Sequence, residues 1–210
     1  NVPRFEDGKF GKAVMVEEGT TNRLAGSTNF TTGWDALAGA TVAVTSGQTG
    51  PFGTSNAYRI QISGGTSTTK YIRWIDKPSV AGNPYSLQIW IKVRDGAPPV
   101  IIRQNFGPTV LVDSTQGWTE VKITGYGAGG AWAGLLFMTQ NVADTLDFYA
   151  YCPQVENKPY CTSWTDSTRS PESLTIPTDG VIDPRECTIE FWAYVDAQVR
   201  DTSRIRRFFS

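Results

Sequence analysis

The chain of 210 residues contains no histidine. That removes the usual general base near neutral pH and the commonest zinc ligand, so Ser-His-Asp, Cys-His and histidine-metal chemistry are excluded within these residues. Cysteine is nearly as scarce. Cys152, Cys161 and Cys187 are too few and too unevenly spaced for a disulfide framework. Cys152 and Cys161 either pair or stay as buried free thiols, the second fitting assembly in a reducing compartment. No run of about 18 apolar residues occurs, so no membrane-spanning helix is expected. The first residues lack the basic-then-apolar form of a signal peptide. Net charge is only −1, which gives no global field to draw in nucleic acid or an anionic membrane. The one basic run, Arg200, Arg204, Arg206 and Arg207 beside Phe208 and Phe209, reads as a strand or loop rather than a nucleic-acid surface.

What is present favours strands and turns. Glycine (21) and proline (12) are plentiful, methionine is rare (2), and Thr, Val and Ile are abundant without helical periodicity, so an all-β chain is expected. The length suits one large domain or two modest ones. The clearest strand is 85–93, where Tyr85, Leu87, Ile89, Ile91 and Val93 share one face and Ser86, Gln88, Trp90 and Lys92 the other. The first set predicts a core face and the second a wet one, with a tryptophan among the wet residues. Further strands are expected over 41–45, 58–63, 71–76, 100–105, 110–113, 119–124, 134–140 and 146–155, separated by clusters of Gly, Pro, Ser and Asn. Around nine short strands with regular turns is a jelly-roll count.

The stretch Pro153-Gln154-Val155-Glu156-Asn157-Lys158-Pro159-Tyr160-Cys161-Thr162-Ser163-Trp164 resembles the segment that closes carbohydrate-binding-module-like (galactose-binding-like) jelly-rolls of bacteriophage tail proteins. Glu17-Glu18-Gly19-Thr20-Thr21-Asn22-Arg23-Leu24 and Phe30-Thr31-Thr32-Gly33-Trp34 are similar to the opening of the same modules. The two ends are similar to something else. Residues 5–16, then Ser173-Leu174-Thr175-Ile176-Pro177 and Cys187-Thr188-Ile189-Glu190-Phe191-Trp192-Ala193-Tyr194-Val195, resemble early strands of laminin-G-like or concanavalin-A-like lectin sandwiches. In that family these elements adjoin, whereas here about 150 residues separate them. The expected organisation is therefore a jelly-roll β-sandwich at 20–168, inserted in a loop of an incomplete lectin-like domain supplied by 1–19 and 169–210. Insertion at a loop is tolerated because a domain's ends usually lie close together.

The resemblance implies a non-catalytic glycan-binding adhesion module on a virion tail or other extracellular surface. Its partner would be a polysaccharide or cell-wall glycan, with tail neighbours or further copies of the chain around it. Sugars are held by aromatic faces together with amides and charges that bond to hydroxyls. Trp90 with Gln88 and Lys92 supplies all three on one strand, and Arg73 or Arg103 is the candidate contribution from an adjacent strand. The alternative for Trp90 is packing under a loop. Trp132, on the glycine-rich stretch 127–132, is either a rim contact or a loop anchor. Trp34, Trp74 and Trp118 are expected to pack. Many such modules hold a structural calcium ion, but the hard oxygen ligands are missing from both matching places, which argues against it here. Asp147 and Glu156 remain as the candidate metal ligands, and no cofactor is required. Glycoside hydrolysis needs two carboxyl groups placed across the scissile bond. Asp113, Glu120, Asp147, Glu156, Glu172 and Glu190 sit in no catalytic motif, so no enzyme is expected. The rival readings are a structural tail spacer or oligomerisation domain, and a fragment of a polysaccharide-degrading tail protein.

Overall fold

The structure is a computed structural model that describes residues 4–8, 11–15, 17–26, 28–104, 107–127, 129 and 132–171. The strands expected over 173–177 and 187–195, the arginine cluster, Cys187, Glu172, Glu190 and the side chains of Trp74 and Trp132 lie outside the described residues. The chain divides into two compact units, one of residues 1–19 and 170–210 and the other Thr20–Arg169. In the first, β1 (Arg4–Gly8) and β2 (Gly11–Met15) form an antiparallel hairpin with Phe5 opposite Val14, where the sequence expects a single strand.

The second unit is an all-β jelly-roll sandwich. Its strands are β3 (Thr20–Thr21), β4 (Asp35–Ala36), β5 (Ala40–Gln48), β6 (Ala57–Gly64), β7 (Thr69–Pro78), β8 (Pro84–Val93), β9 (Val100–Gln104), β10 (Thr109–Val112), β11 (Thr119–Tyr126), β12 (Trp132–Met138), β13 (Leu146–Glu156) and β14 (Thr168–Arg169). One sheet runs β10-β9-β12-β7-β4, the other β11-β8-β13-β6-β5, and β14 pairs with β3. All nine expected strands are present. The two-residue strands β3, β4 and β14 are too short to leave an alternation in the sequence.

Alternation decides which face is covered. Leu87, Ile89, Ile91 and Val93 of β8 are fully buried, meeting Ile60, Phe148 and Val121 of their own sheet and Tyr71, Ile102, Leu135 and Phe137 of the other. Each such side chain contributes about 1.5–3 kcal/mol when removed from water. Trp34 belongs to this core, stacked on Phe137 with ring centroids 5.5 Å apart. Tyr71 donates its hydroxyl to the carbonyl of Phe30, whose backbone is left-handed (φ 58). Burial, helped by nearby Asp35, pushes the Tyr71 hydroxyl up to about 12, so it remains a donor. Buried Lys70 sets its ammonium against the carbonyls of Gly64 (2.7 Å) and Val142 (2.6 Å), joining two turns.

Two features of β13 shape the outer face of the second sheet. Tyr151 stands opposite Trp90 and Gln154 opposite Gln88, so Cys152 and Pro153 together oppose Ile89 as a β-bulge. Cys152 takes a left-handed backbone (φ 51) there, and Pro153, with no N–H to offer the ladder, is tolerated at such a break. The extra residue lets both Tyr151 and Gln154 face outward. Beyond the bulge a returning segment covers the sheet, held by buried polar groups. Thr165 N–H donates to Gln154 Oε1 at 2.7 Å. Glu156, 1% exposed, accepts from the Thr162 N–H at 2.9 Å, the Thr162 hydroxyl at 2.7 Å and the Thr20 hydroxyl. Asn22 donates to the carbonyls of Pro153 (3.0 Å) and Thr165 (2.9 Å), and its Oδ1 accepts from the N–H of Leu24 (3.0 Å) and Val155 (3.2 Å). The sequence segment that announced the closure is thus a clasp of buried side chains satisfying backbone groups.

Candidate functional site

The uncovered part of that outer face carries an aromatic surface. Strand register places Glu120, Trp90 and Tyr151 in one row across β11, β8 and β13, with Lys92, Tyr149 and Arg59 in the next. Phe52, from the turn after β5, meets Trp90 edge-on at 5.4 Å and Tyr151 at 6.1 Å. Trp164, from the returning segment, lies nearly parallel to Tyr151 at 6.5 Å, and Trp118 tilts against Tyr149 at 6.4 Å. Phe52 is 66% exposed and Trp164 40%, while Trp90, Tyr149 and Tyr151 are half-buried. Large apolar rings open to solvent on one face mark a candidate interaction surface. The Asn56 side-chain amide donates to the Tyr151 hydroxyl at 3.3 Å. Burial foremost, with a hydrogen bond to Cys152, pushes the pKa of that hydroxyl up.

Charged groups frame the rings. Arg59 forks onto Asp147 with Nε to Oδ1 at 2.8 Å and Nη2 to Oδ2 at 2.7 Å, and Arg94 adds Nη1 to Oδ2 at 2.9 Å. The Arg59 hydrogen bonds, then Arg94, hold the Asp147 carboxyl below its ordinary 3.8 against the opposing effect of burial. A depressed carboxyl stabilises the fold above its ordinary value, and that stability is lost as pH falls through the lower folded value. Asp147→Asn is therefore expected to reduce stability at neutral pH and to flatten the loss below about pH 4 seen in the wild type. Urea midpoints measured from pH 7 to 2 check this, and parallel curves for both proteins would refute it.

The structure redistributes the residues that the sequence grouped. Trp90 and Lys92 are on the outer face as expected. Gln88 shares that face but is only 7% exposed, and its Nε2 donates to Glu120 Oε1 at 2.8 Å, so it positions Glu120 rather than meeting solvent. Glu120 Oε2 in turn pairs with Lys122 Nζ at 3.0 Å. Arg73 and Arg103 are not beside Trp90. They stand on β7 and β9 of the other sheet, because the neighbours of β8 are β11 and β13. Arg73 instead lies against Gly33, where an added Cβ would come within 3.0 Å of its guanidinium. Trp132 opens β12 opposite Pro78 and is not on a loop tip. Asp147 and Glu156 are poorly suited to a metal. Both oxygens of Asp147 face guanidinium groups, both oxygens of Glu156 accept protein donors, and no group of three potential ligands clusters among the described residues. Trp118, expected to pack, does so against Tyr149 at the margin of the ring surface. Phe52, Tyr151 and Trp164 were missed. For Tyr151 a signal existed, since Asp147, Tyr149 and Tyr151 alternate with Leu146, Phe148 and Ala150.

Cys152 and Cys161 are free thiols in separate surroundings. Cys161 Sγ donates to the Leu87 carbonyl at 3.3 Å. Burial pushes Cys152 up to about 12 and Cys161 up to about 11. In a Cys187→Ser background, both are expected to react with a thiol reagent at pH 8 more than about a hundredfold slower than an exposed cysteine, and at normal speed in urea. Rapid reaction of the folded protein would contradict the burial. Since these thiols and Tyr71 lose protons more easily when unfolded, stability should fall as pH rises above their ordinary 9.0 and 10.0 toward 12.

Neither a protein-family model nor a curated protein sequence matches the chain. Solved structures do resemble it. An arabinose-bound α-L-arabinofuranosidase, 10% identical with a TM-score of 0.50, matches over 78% of this chain and 29% of its own, and shares the sandwich fold. The CBM22-1 xylan-binding domain from Paenibacillus barcinonensis matches at 14% identity and a TM-score of 0.47, over 70% of this chain and all of its own. A family 11 carbohydrate-binding module from a Clostridium thermocellum cellulosomal cellulase matches at 14% identity and a TM-score of 0.42, over 67% of this chain and 95% of its own.

Proposed function

We propose that the Thr20–Arg169 unit is a non-catalytic glycan-binding module whose site is the ring surface around Trp90. The observation that carries this reading is the convergence of Trp90, Phe52, Tyr151 and Trp164 on one open face, bordered by Glu120, Lys122 and Lys92. Ring faces stack on the C–H face of a pyranose, and the bordering charges bond to its hydroxyls. The structural neighbours include carbohydrate-binding modules, in keeping with a polysaccharide as the partner.

A binding rather than catalytic role is supported by how three of the carboxylates are used. Asp113 is held below its ordinary range by Thr115, Asp147 by two arginines, and Glu156 is enclosed by threonines. A general acid for glycoside hydrolysis needs the opposite, a carboxyl raised toward neutrality. The resemblance of both ends of the chain to a lectin-like sandwich supports a wider proposal, that this module is inserted in such a domain of a phage tail or other surface-displayed protein. There it would recognise a host cell-wall or surface glycan. Weak single sites would then gain strength from display in several copies.

Calorimetric titration of the whole chain with neutral and acidic polysaccharides, xylan among them, tests the function. Saturable binding accompanied by a change in tryptophan fluorescence is expected. Silence across the panel, or burial of the Trp90 face in an oligomer, would leave the structural-spacer reading in its place.

A further inference from the structure

We propose that the outer edge of β5 pairs antiparallel with β5 of a second copy of this chain, joining the two copies through one continuous sheet. β5 ends its sheet, and among the described residues no strand pairs with its outer side. The sandwich is visibly open there. Val42 and Val44 point inward yet are only partly buried, while their partners on β6, Ile62 and Ile60, are 2% and 0% exposed. Thr41, Ala43 and Thr45 are exposed on the other face.

Edge strands are ordinarily protected from such pairing by charge, proline or shortness. The other three edges of the two five-stranded sheets show those devices. β11 carries Glu120 and Lys122, β4 has two residues including Asp35, and β10 has four residues. β5 has nine residues with neither charge nor proline, within a stretch from Ala36 to Tyr58 that holds no charged residue in a chain that is 19% charged. Its irregularity falls only beyond Thr45, leaving 40–45 regular.

The missing charges point to the occupant. Two copies of a strand related by a two-fold axis set the residue on the axis against its own symmetry mate and its neighbours close to theirs, so a charge near the axis lies beside a like charge. This edge meets none, and its Thr and Val side chains suit a cross-strand partner of the same kind. A two-fold axis perpendicular to the sheet leaves the outer faces of both copies on the same side. The two ring surfaces would then address one polysaccharide together, and that consequence rests on the glycan reading, although the pairing does not.

Light-scattering mass of the whole chain across micromolar to millimolar concentration tests the pairing without any ligand. The mass is expected to rise from 23.0 kDa toward twice that value. Ala43→Lys, and independently Thr41→Lys, should hold it at the monomer value with unchanged circular dichroism. Among residues 41–45, the amides that face away from β6 should exchange slowly in the concentrated wild type and fast in either variant. A wild type that stays monomeric throughout, an assembly other than a dimer, or a dimer that survives both lysines overturns the proposal. Titration of the monomeric variants with polysaccharide separates the two readings. Retained single-site affinity with weaker retention on an immobilised glycan fits both, while absence of binding counts against the glycan reading alone.

Discussion

An Asn22→Ala variant is expected to unfold in urea with about 4 kcal/mol less stability than the wild type, an amount comparable to the whole stability of some domains. Asn22 is fully buried, and its amide uses both donors and both lone pairs on main-chain groups of three separate segments. Alanine would leave two carbonyls and two N–H groups without partners where water does not reach, each costing about 1–3 kcal/mol before relaxation. Asn22→Asp separates the donor half from the acceptor half. It keeps an acceptor for Leu24 and Val155 but turns a carboxylate toward the carbonyls of Pro153 and Thr165, so it should do no better than alanine. The loosened part should be the clasp, with Trp164 becoming more exposed before the sheets separate. A loss below about 1 kcal/mol in Asn22→Ala would show that the clasp is not held this way.

Trp90→Ala is expected to weaken polysaccharide binding about 30-fold, corresponding to about 2 kcal/mol, while leaving the fold intact. Trp90 projects from the outer side of a strand whose inner side is fully buried, so its removal opens no cavity in the core. What it removes is the middle ring of the surface, the one in edge contact with Phe52 and in the same row as Tyr151 and Glu120. Tyr151→Ala should act in the same direction. Glu120→Gln should have a smaller effect, because it keeps the shape and loses the charge that holds Lys122. Calorimetry of each variant against the best ligand of the wild type, with a melting curve as control, decides the matter. Wild-type affinity in both Trp90→Ala and Tyr151→Ala would move the site elsewhere.

The legibility of the fold follows from how local its signals are. A strand with one buried face writes its orientation into every second residue, and β8 could be assigned a core face and an outer face from sequence alone. The closing segment is recognisable by its pattern, yet that pattern marks only a module boundary and leaves Glu156 as a candidate metal ligand. The structure gives Glu156 to Thr20 and Thr162 instead. Arg73 and Arg103 were misplaced for a related reason. Their strands lie near β8 in the chain, but in a jelly-roll neighbours in sequence often belong to opposite sheets.

The sequence by itself determined the all-β character, the nine principal strands and the inward and outward faces of β8, and it excluded histidine chemistry within these residues. These depend on composition and on a period of two, which act within a few residues. Only the tertiary structure decided that Phe52, Tyr151 and Trp164 join Trp90, that Gln88 turns to Glu120, and that β5 is left with an open, uncharged edge. Each of those depends on which distant strand lies alongside, and that is settled by packing two sheets on one core rather than by any pattern along the chain.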